Sequence, residues 1–380
     1  MEQEMRLFFA LLAGAALYFA QLYLYRYFWK EGLDVSIAFG RDILREGEEN
    51  ELIETIVNDK ALPLPVVQVK FNITRTFEFK RQDNSAVTDQ YYRNDFFSLL
   101  PYRKITRIYG FKCTRRGYYT VKGLDVVCKD LFLTGMQLWS VKPEAAVCVL
   151  PGRITPDRMT RSVVELMGDI IDEIKRNEDP FEFAGIREYQ RNDPMNRINW
   201  KGSARAQRML VNKFYTTLMR RVVIFLNAEC HIKWHEEVFI EEEIRLAASL
   251  AERFISEHIP VALYSNGCDI ITGQPVNIDE GADALHLSNM EIKLARLDAS
   301  SVKGDFALML KEKLSDKKYD RTECIIISNY RKQDLYDAYT DIKDRGLSVH
   351  WIIPEYGMME PRLAGMGDEH IVKWTVGNGS

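Results

Sequence analysis

Nineteen consecutive residues near the start of the chain, Leu7 to Tyr25, carry no charge: LFFALLAGAALYFAQLYLY. As a helix rising ~1.5 Å per residue, such a run is about long enough to cross ~30 Å of hydrocarbon. Tyr18, Tyr23, Tyr25, Tyr27 and Trp29 crowd its C-terminal end, the arrangement of an interfacial aromatic belt. No A-x-A-like cleavage site follows, so the run is expected to be an uncleaved anchor occupying residues 1–31. The competing reading is a buried core helix. Arg26 and Lys30 follow the run, whereas Arg6 and the terminal amine precede it beside Glu2 and Glu4. The positive-inside rule therefore leans towards a single-pass plasma-membrane protein with its bulk in the cytoplasm.

The rest of the 380 residues suffices for about two folded domains. Charges of both signs are mixed and the net charge is -4, which argues against a general nucleic-acid binder. Cys113, Cys128, Cys148, Cys230, Cys268 and Cys324 are scattered without a C-x-x-C pair. That spacing favours buried free thiols over a zinc site or a disulfide framework.

From residue 32 to 152 the hydrophobic period is two. Val67, Val69, Phe71 and Ile73 alternate with Gln68, Lys70, Asn72 and Thr74, the mark of a half-buried strand. Glu51 to Val57 and Arg103 to Lys112 are also β-like, and Leu62-Pro63-Leu64-Pro65 and Arg116-Gly117 punctuate them. Short strands separated by turn signals predict an antiparallel sandwich. The Arg115-Arg116 pair is read as a solvated turn in preference to an anion site.

From residue 221 to 380 strands and helices alternate. Arg221 to Leu226 is a short apolar run, as in a strand buried on both faces. Glu236 to His258 follows at helical spacing, with Ile240, Ile244, Ala247, Ala248, Ala251 and Ile255 on one stripe. Pro260 to Tyr264, ended by Asn266-Gly267, and Cys324 to Ile327 are further strands; Gln333 to Arg345 is a helix, and Ser348 to Ile353 a fourth strand. This order predicts a mostly parallel sheet covered on both faces, with any ligand at the carboxyl ends of its strands. The region of Asp279, Asp283 and Asp298 is poorly periodic and is expected to hold loops and short helices. Glu236-Glu237 and Glu241-Glu242-Glu243 form an acidic helix start, favourable at the positive end of a helix dipole.

Between the two halves, residues 153–220 are expected to link them. Their distinctive stretch, Phe181 to Phe214, concentrates Arg187, Arg191, Arg197, Lys201, Arg205, Arg208 and Lys213 against only Glu182, Glu188 and Asp193. Asn192-Asp193-Pro194 is turn chemistry. Lys201, Arg205 and Arg208 fall on one face of a helix opened by Trp200. Trp200 is expected in the core and Arg205 on an exposed basic stripe.

Arg187-x-Tyr189, Asp193, Arg197-Ile198-x-Trp200-Lys201, Ala204-Arg205 and Leu210-Val211 together resemble the signature of a bacterial family labelled domain of unknown function fifty-eight. Its pattern runs roughly R-x-Y-x-x-G-D-x-x-R-x-I-D-W-x-x-x-A-R. Asn192 stands where Gly is usual and Asn199 where Asp is usual. Thr114 to Tyr119 and Asp130-Leu131-Phe132 similarly resemble an R-R-G-x-Y block and a D-P-F-G-L block, the second degraded here. The resemblance implies a β-rich segment followed by a von Willebrand factor A-like α/β domain. Members commonly carry two N-terminal spans, and one is visible here. They often occur with MoxR-type AAA+ ATPases and other envelope proteins, which implies an adaptor role in assembling or maturing an envelope complex.

Domains of the A type hold Mg²⁺ through D-x-S-x-S after the first strand, because a hard cation takes carboxylate and hydroxyl oxygens. The corresponding residues here are Asn227-Ala228-Glu229-Cys230-His231, so the Asp is Asn and both Ser are absent. Glu229 and His231 alone make a weak site, and neither a metal nor a cofactor is expected. His231 and His235, four apart beside Glu236, lack a third zinc ligand and are better read as a solvated junction. Phosphate-loop, dinucleotide, H-E-x-x-H and G-x-S-x-G motifs are all missing from the sequence.

Three functions stay open on the sequence. The first is a membrane-anchored, non-catalytic interaction protein. The second is an anion-binding module in which Arg187, Arg197, Lys201 and Arg205 clamp a phosphate or carboxylate bidentately. The third is a hydrolase or transferase, for which no nucleophile or metal set is visible. Arg groups converging on an open pocket favour the clamp; Arg groups paired to carboxylates favour a structural role.

Overall fold

The computed structural model describes residues 2–74, 76–79, 85–87, 90–176, 183–190, 193, 195, 198–214, 221–230, 236–316, 319, 322–355 and 371–375. The chain divides into two compact units, Met1–Gly152 and Arg153–Ser380.

The first unit begins with α1 (Glu2–Phe28), apolar on every face and long enough to cross a membrane. Residues 3–17 are exposed, while Gln21, Tyr25 and the following Trp29 are buried. A β-rich body follows. One sheet has the order β1 (Leu33–Phe39), β3 (Glu49–Asn58), β8 (Arg103–Cys113), β5 (Phe77–Phe79). A second has the order β11 (Met136–Val141), β10 (Lys122–Lys129), β4 (Leu64–Thr74), β7 (Gln90–Leu99), β6 (Ser85–Val87). A small third sheet joins β2 (Ile43–Arg45), β12 (Ala146–Leu150) and β9 (Gly117–Thr120). Neighbours are antiparallel except β2 and β12.

The alternation expected of a sandwich is present. Val67, Val69, Phe71 and Ile73 of β4 are buried. They share one apolar core with Val35 and Ile37 of β1, Leu52 and Ile56 of β3, and Phe111 of β8. Phe39, Phe77 and Phe111 meet with ring centroids 4.5–6.0 Å apart, favourable aromatic spacing. Arg116 departs from the expected solvated turn. It is buried, and the Tyr119 hydroxyl donates to the carbonyls of Arg115 and Arg116 at 3.2 and 2.8 Å.

The sandwich also buries an ionisable cluster. Glu54, Arg93 and Asp95 have almost no exposed surface. Arg93 and Arg107 approach Asp95 at 3.6 and 3.4 Å. The Tyr109 hydroxyl donates to Glu54 at 3.3 Å, and the Arg93 guanidinium stacks 3.8 Å from the Tyr109 ring centroid. Burial pushes the Glu54 carboxyl up to about 8; the Asp95 charge adds to this, while Arg107 and Arg93 oppose it.

The second unit is α/β. Its elements in chain order are α2 (Arg161–Arg176), β13 (Phe183–Glu188), α3 (Trp200–Ala206), β14 (Leu210–Phe214), β15 (Arg221–Leu226), α4 (Glu236–Ser256), β16 (Val261–Asp269), β17 (Pro275–Gly281), α5 (Ala284–Ala295), β18 (Leu297–Val302), α6 (Phe306–Leu314), β19 (Thr322–Ile327), α7 (Gln333–Asp344), β20 (Ser348–Glu355) and β21 (Ile371–Thr375). The main sheet runs β17-β16-β15-β19-β20-β21, with β18 paired to the far half of β16. β16, β15, β19, β20 and β21 are mutually parallel; β17 and β18 are antiparallel to β16. Numbered in chain order, the parallel strands lie 2-1-3-4-5, a doubly wound arrangement. Val222, Ile224 and Leu226 face a core with α2, α4 and α5; Val223 and Phe225 face a core with α6 and α7. Burial on both faces explains why β15 is an unbroken apolar run.

Residues 153–220 prove to be more than a link. Val163, Leu166, Met167, Ile170, Ile171 and Ile174 of α2 are buried in the same core as the sheet, and α2 lies against β21. The region of Asp279, Asp283 and Asp298 holds two strands and a three-turn helix, where loops and short helices are expected from its weak period. Asp283 caps α5 by accepting from the His286 N–H at 2.6 Å. Asn266-Gly267 does not end a strand, since β16 runs on to Asp269. A Cβ on Gly267 would come within 3.0 Å of side-chain atoms of Leu297 and Ala228, so the close approach there requires glycine. The acidic start of α4 is only partly solvated, because Glu242 and Glu243 are buried.

Candidate functional site

The signature stretch folds as a small antiparallel hairpin. Ile186, Arg187 and Glu188 of β13 pair with Asn212, Val211 and Leu210 of β14, and α3 lies between the strands in sequence. Asn199 fixes the start of α3. Its Oδ1 accepts from the Gly202 N–H at 2.7 Å, and its Nδ2 donates to Asn212 Oδ1 at 2.7 Å. An Asp at this position could accept the first bond but could not donate the second. The Ser203 hydroxyl closes the other side, donating to Asn199 O and accepting from Leu210 N–H, each at 2.8 Å.

Arg187 forms a fork on Asp193, with Nη1–Oδ2 2.6 Å and Nη2–Oδ1 2.5 Å, and Asp193 also accepts from the Gln190 N–H at 2.7 Å. Hydrogen bonding to Asp193 holds the Arg187 guanidinium above its ordinary pKa. Arg208 pairs with Glu188. The half-buried Tyr189 ties into the hairpin through its backbone, donating to Met209 O at 3.0 Å. Arg197 lies outside the described residues. Lys201 and Arg205 are exposed, one turn apart on α3.

Trp200 is not in the core. It is 64% exposed, and α3 has no buried residue at all. A seven-residue helix cannot bury a stripe against its own hairpin, so the apolar period there places nothing inside. The stretch thus separates into two parts. Arg187, Asp193, Glu188 and Arg208 are engaged with one another, whereas Trp200, Lys201 and Arg205 face outward. Arg187 is held by its carboxylate, and this arrangement matches the structural pairing more closely than a clamp.

At the carboxyl ends of the parallel strands, β15 and β19 diverge into loops at the point where strand order reverses, the customary ligand crevice of such sheets. Asn227 lies there, buried, with its side chain fully engaged. Nδ2 donates to Ser328 Oγ at 3.0 Å, and Oδ1 accepts from Asn266 Nδ2 and from the Glu229 N–H, both at 3.0 Å. Asn266 Oδ1 accepts from the Ala228 N–H at 2.8 Å. Asn329 Nδ2 donates to Cys230 Sγ at 2.9 Å, and its N–H donates to Glu243 Oε1 at 2.7 Å. Trp351 Nε1 donates to Ser328 O at 3.0 Å, closing the floor.

Two carboxyl groups border this network, Glu229 and Glu243. Burial raises the Glu229 carboxyl, with Asp305 adding and Lys332 opposing. Burial raises Glu243 well above the usual carboxylate range, opposed by the Asn329 N–H. His231, the other residue of the degenerate metal position, lies outside the described residues, as does His235. Among the described residues no group of three or more His, Cys, Asp or Glu is placed to hold a metal.

In the sequence Asn266-Gly267 reads only as a strand end, and Ser328-Asn329 merely follow the Cys324 to Ile327 run; their joint role with Asn227 depends on the order of the strands. Glu243 is hidden in a run of carboxylates that reads as solvated. The signal available was its position on the stripe side of α4, one residue before Ile244.

No family model matches the chain, and no curated protein does. Solved structures that it resembles include the CARDB domain of the PF1109 protein from Pyrococcus furiosus, in complex with di-metal ions, at 18% identity over 31% of this chain and 94% of that one, with a TM-score of 0.20. A non-cellulosomal cohesin from Archaeoglobus fulgidus matches at 13% identity over 31% and 91%, TM-score 0.21. A type I cohesin–dockerin complex from Clostridium thermocellum matches at 10% identity over 30% and 99%, TM-score 0.22. Likeness at this level carries no statement about activity.

Proposed function

We propose that the chain is a membrane-anchored, non-catalytic adaptor that docks a protein partner through the exposed face of α3. The observation that carries this reading is Trp200, 64% exposed beside Lys201 and Arg205 on a hairpin stiffened by the Arg187–Asp193 fork. Tryptophan and arginine dominate the energetic centres of protein interfaces. A rigid presentation also lowers the ordering cost of binding. The amide network around Asn227 supports the same reading, because side chains at the ligand crevice are joined to one another.

The doubly wound unit is read as a von Willebrand factor A-like domain with a degenerate metal position. α1 is read as a single-pass anchor in the plasma membrane, with the bulk of the chain cytoplasmic. The choice of a MoxR-type AAA+ ATPase as partner, in assembly or maturation of an envelope complex, rests on the resemblance of the Arg187–Val211 run. A photo-crosslinking residue at Lys201 in the full chain, followed by identification of the adduct from detergent-solubilised membranes, tests it. An AAA+ subunit in the adduct, absent in Trp200→Ala and Arg205→Ala, is the expected result. Crosslinks unaffected by both substitutions would remove α3 as the docking face. Release of the full chain by alkaline carbonate would remove the anchor.

A further inference from the structure

Helix α1 does not run clear of the sandwich. Tyr25 Oη donates to Pro63 O at 2.6 Å, Gln21 Nε2 to Asp130 Oδ2 at 3.3 Å, and Tyr18 Oη to Thr134 Oγ1 at 3.4 Å. The Tyr18 ring also lies 6.1 Å from that of Phe132. From Tyr25 back to Tyr18 is two turns, ~10 Å along the axis. The rim of the sandwich therefore overlaps the apolar run by that distance. Only Leu7 to Leu17 remains clear of these contacts. Eleven residues extend ~16 Å, about half of the ~30 Å hydrocarbon layer. A bilayer crossed by α1 must then receive the rim as well.

The rim is made for that environment. Leu131, Phe132 and Leu133 form a turn between β10 and β11, exposed by 54%, 55% and 56%. Met136 and Leu138 continue the apolar surface along β11. The turn is held from inside by the buried Asp130. Its carboxylate accepts from the Thr134 N–H at 2.8 Å, the Thr134 hydroxyl at 2.9 Å and the Gly135 N–H at 2.9 Å. Burial alone would raise this carboxyl; the bonds from Thr134, Gln21 and Gly135 outweigh it and hold it below its ordinary value. Leu133 has φ +60°, a left-handed conformation that branched side chains rarely adopt. A large apolar side chain kept in a strained, internally braced turn and turned outward is an unusual use of a leucine. Lys30 Nζ sits 4.6 Å from the Trp139 ring, a cation–aromatic pair suited to the headgroup level.

We propose that the Leu131-Phe132-Leu133 turn, with Met136 and Leu138, inserts into the headgroup–acyl boundary of the bilayer that α1 crosses. The chain then touches the membrane at two fixed points, a helix and a wedge, and the sandwich cannot swivel about a flexible stalk. The inference rests on the anchor reading of α1. Its occupant is lipid, because the turn is continuous with the apolar helix and packs against it.

The test places an environment-sensitive fluorescent amino acid at Phe132, or in a separate preparation at Leu12, in the full chain reconstituted into vesicles of phosphatidylethanolamine and phosphatidylglycerol. Spin-labelled lipids then quench at shallow or deep positions. The expected result is deep quenching at position 12 and loss of more than about half the emission at 132 by shallow quenchers. Leu131→Ser with Leu133→Ser should abolish quenching at 132 and leave it unchanged at 12. Water-like, unquenched emission at 132 with quenching at 12 overturns the wedge and spares the anchor. Blue-shifted but unquenched emission at 132 assigns the turn to a protein contact and also overturns it. No quenching at 12 removes the anchor and the wedge together.

Discussion

Glu54→Gln should stabilise the β-rich unit at neutral and alkaline pH, although it removes a hydrogen-bond acceptor from a buried cluster. Glu54 has no exposed surface and its carboxyl is pushed up to about 8 from an ordinary 4.5. The folded chain therefore keeps this proton up to about pH 8, whereas the unfolded chain releases it near pH 4.5. Between those values the folded state binds more protons, so stability falls as pH rises. The contribution is complete below pH 4.5 and fully lost above pH 8. At ~1.36 kcal/mol per pH unit the loss reaches roughly 3 kcal/mol at pH 7 and about 5 kcal/mol above pH 8, both as upper values. Glutamine keeps the shape, can still accept from Tyr109 and carries no charge to desolvate. Because the two units can open separately, the assay should report locally. Hydrogen exchange of β3 and β8 amides in the full chain in a nonionic micelle, corrected for intrinsic rates, does so. Protection should fall from pH 5 to pH 8 in the parent and stay level in Glu54→Gln, with the variant ahead by a few kcal/mol at the alkaline end. Parent protection that is flat or rises across the window, or a variant weaker than the parent above pH 8, would refute the reasoning.

Three further outcomes follow from the second unit. Asn227→Asp deletes the donor to Ser328 and puts a carboxylate in a buried amide network, so the unit's unfolding free energy should fall by about 1–3 kcal/mol; a variant as stable as the parent in urea melts would contradict this. Millimolar Mg²⁺ should leave the parent's melting temperature unchanged, since binding to the folded state alone would raise it; a reproducible rise lost in Glu229→Gln would reverse that expectation. Trp200→Ala and Arg205→Ala should each move stability by less than about 0.5 kcal/mol, as exposed positions do, and a Trp200→Ala chain that becomes protease-sensitive would mean that the residue is packed after all.

Much of this architecture was legible because burial imposes a period. The 67–73 alternation and the unbroken 222–226 run state which faces of their sheets are covered, and both read correctly. The Arg187–Asp193 pair was foreseeable from opposite charges flanking a turn. Trp200 was not, because its exposure depends on what lies beside a short helix and not on the helix itself. The stripe at Val163, Leu166, Met167, Ile170, Ile171 and Ile174 has plain helical spacing, yet its partner strand β21 lies two hundred residues away in sequence. Strand β17 has only the short alternation Val276-Asn277-Ile278-Asp279, and β18 carries Ser300 and Ser301 on its open part, so neither gives a long hydrophobic period. Glu243 was misleading for a related reason: a charge run counts as surface until a neighbouring loop is known to cover one member of it.

The docking of α2 against β21 has a consequence for how the chain is made. Synthesis delivers α2 early and β21 last of all the described elements, so the apolar side of α2 is covered only in part, by β15 and α4, until β21 arrives. During that interval the helix is a natural client for a holding chaperone, and the sheet's far edge cannot close until Val372 and Trp374 arrive. Loss of those few residues by early termination or clipping would leave a long-lived, sticky intermediate instead of a slightly loosened fold. Pairing of β21 thus decides whether the apolar side of α2 is fully covered, and chains in which it cannot pair should be removed by proteolysis before any partner meets them.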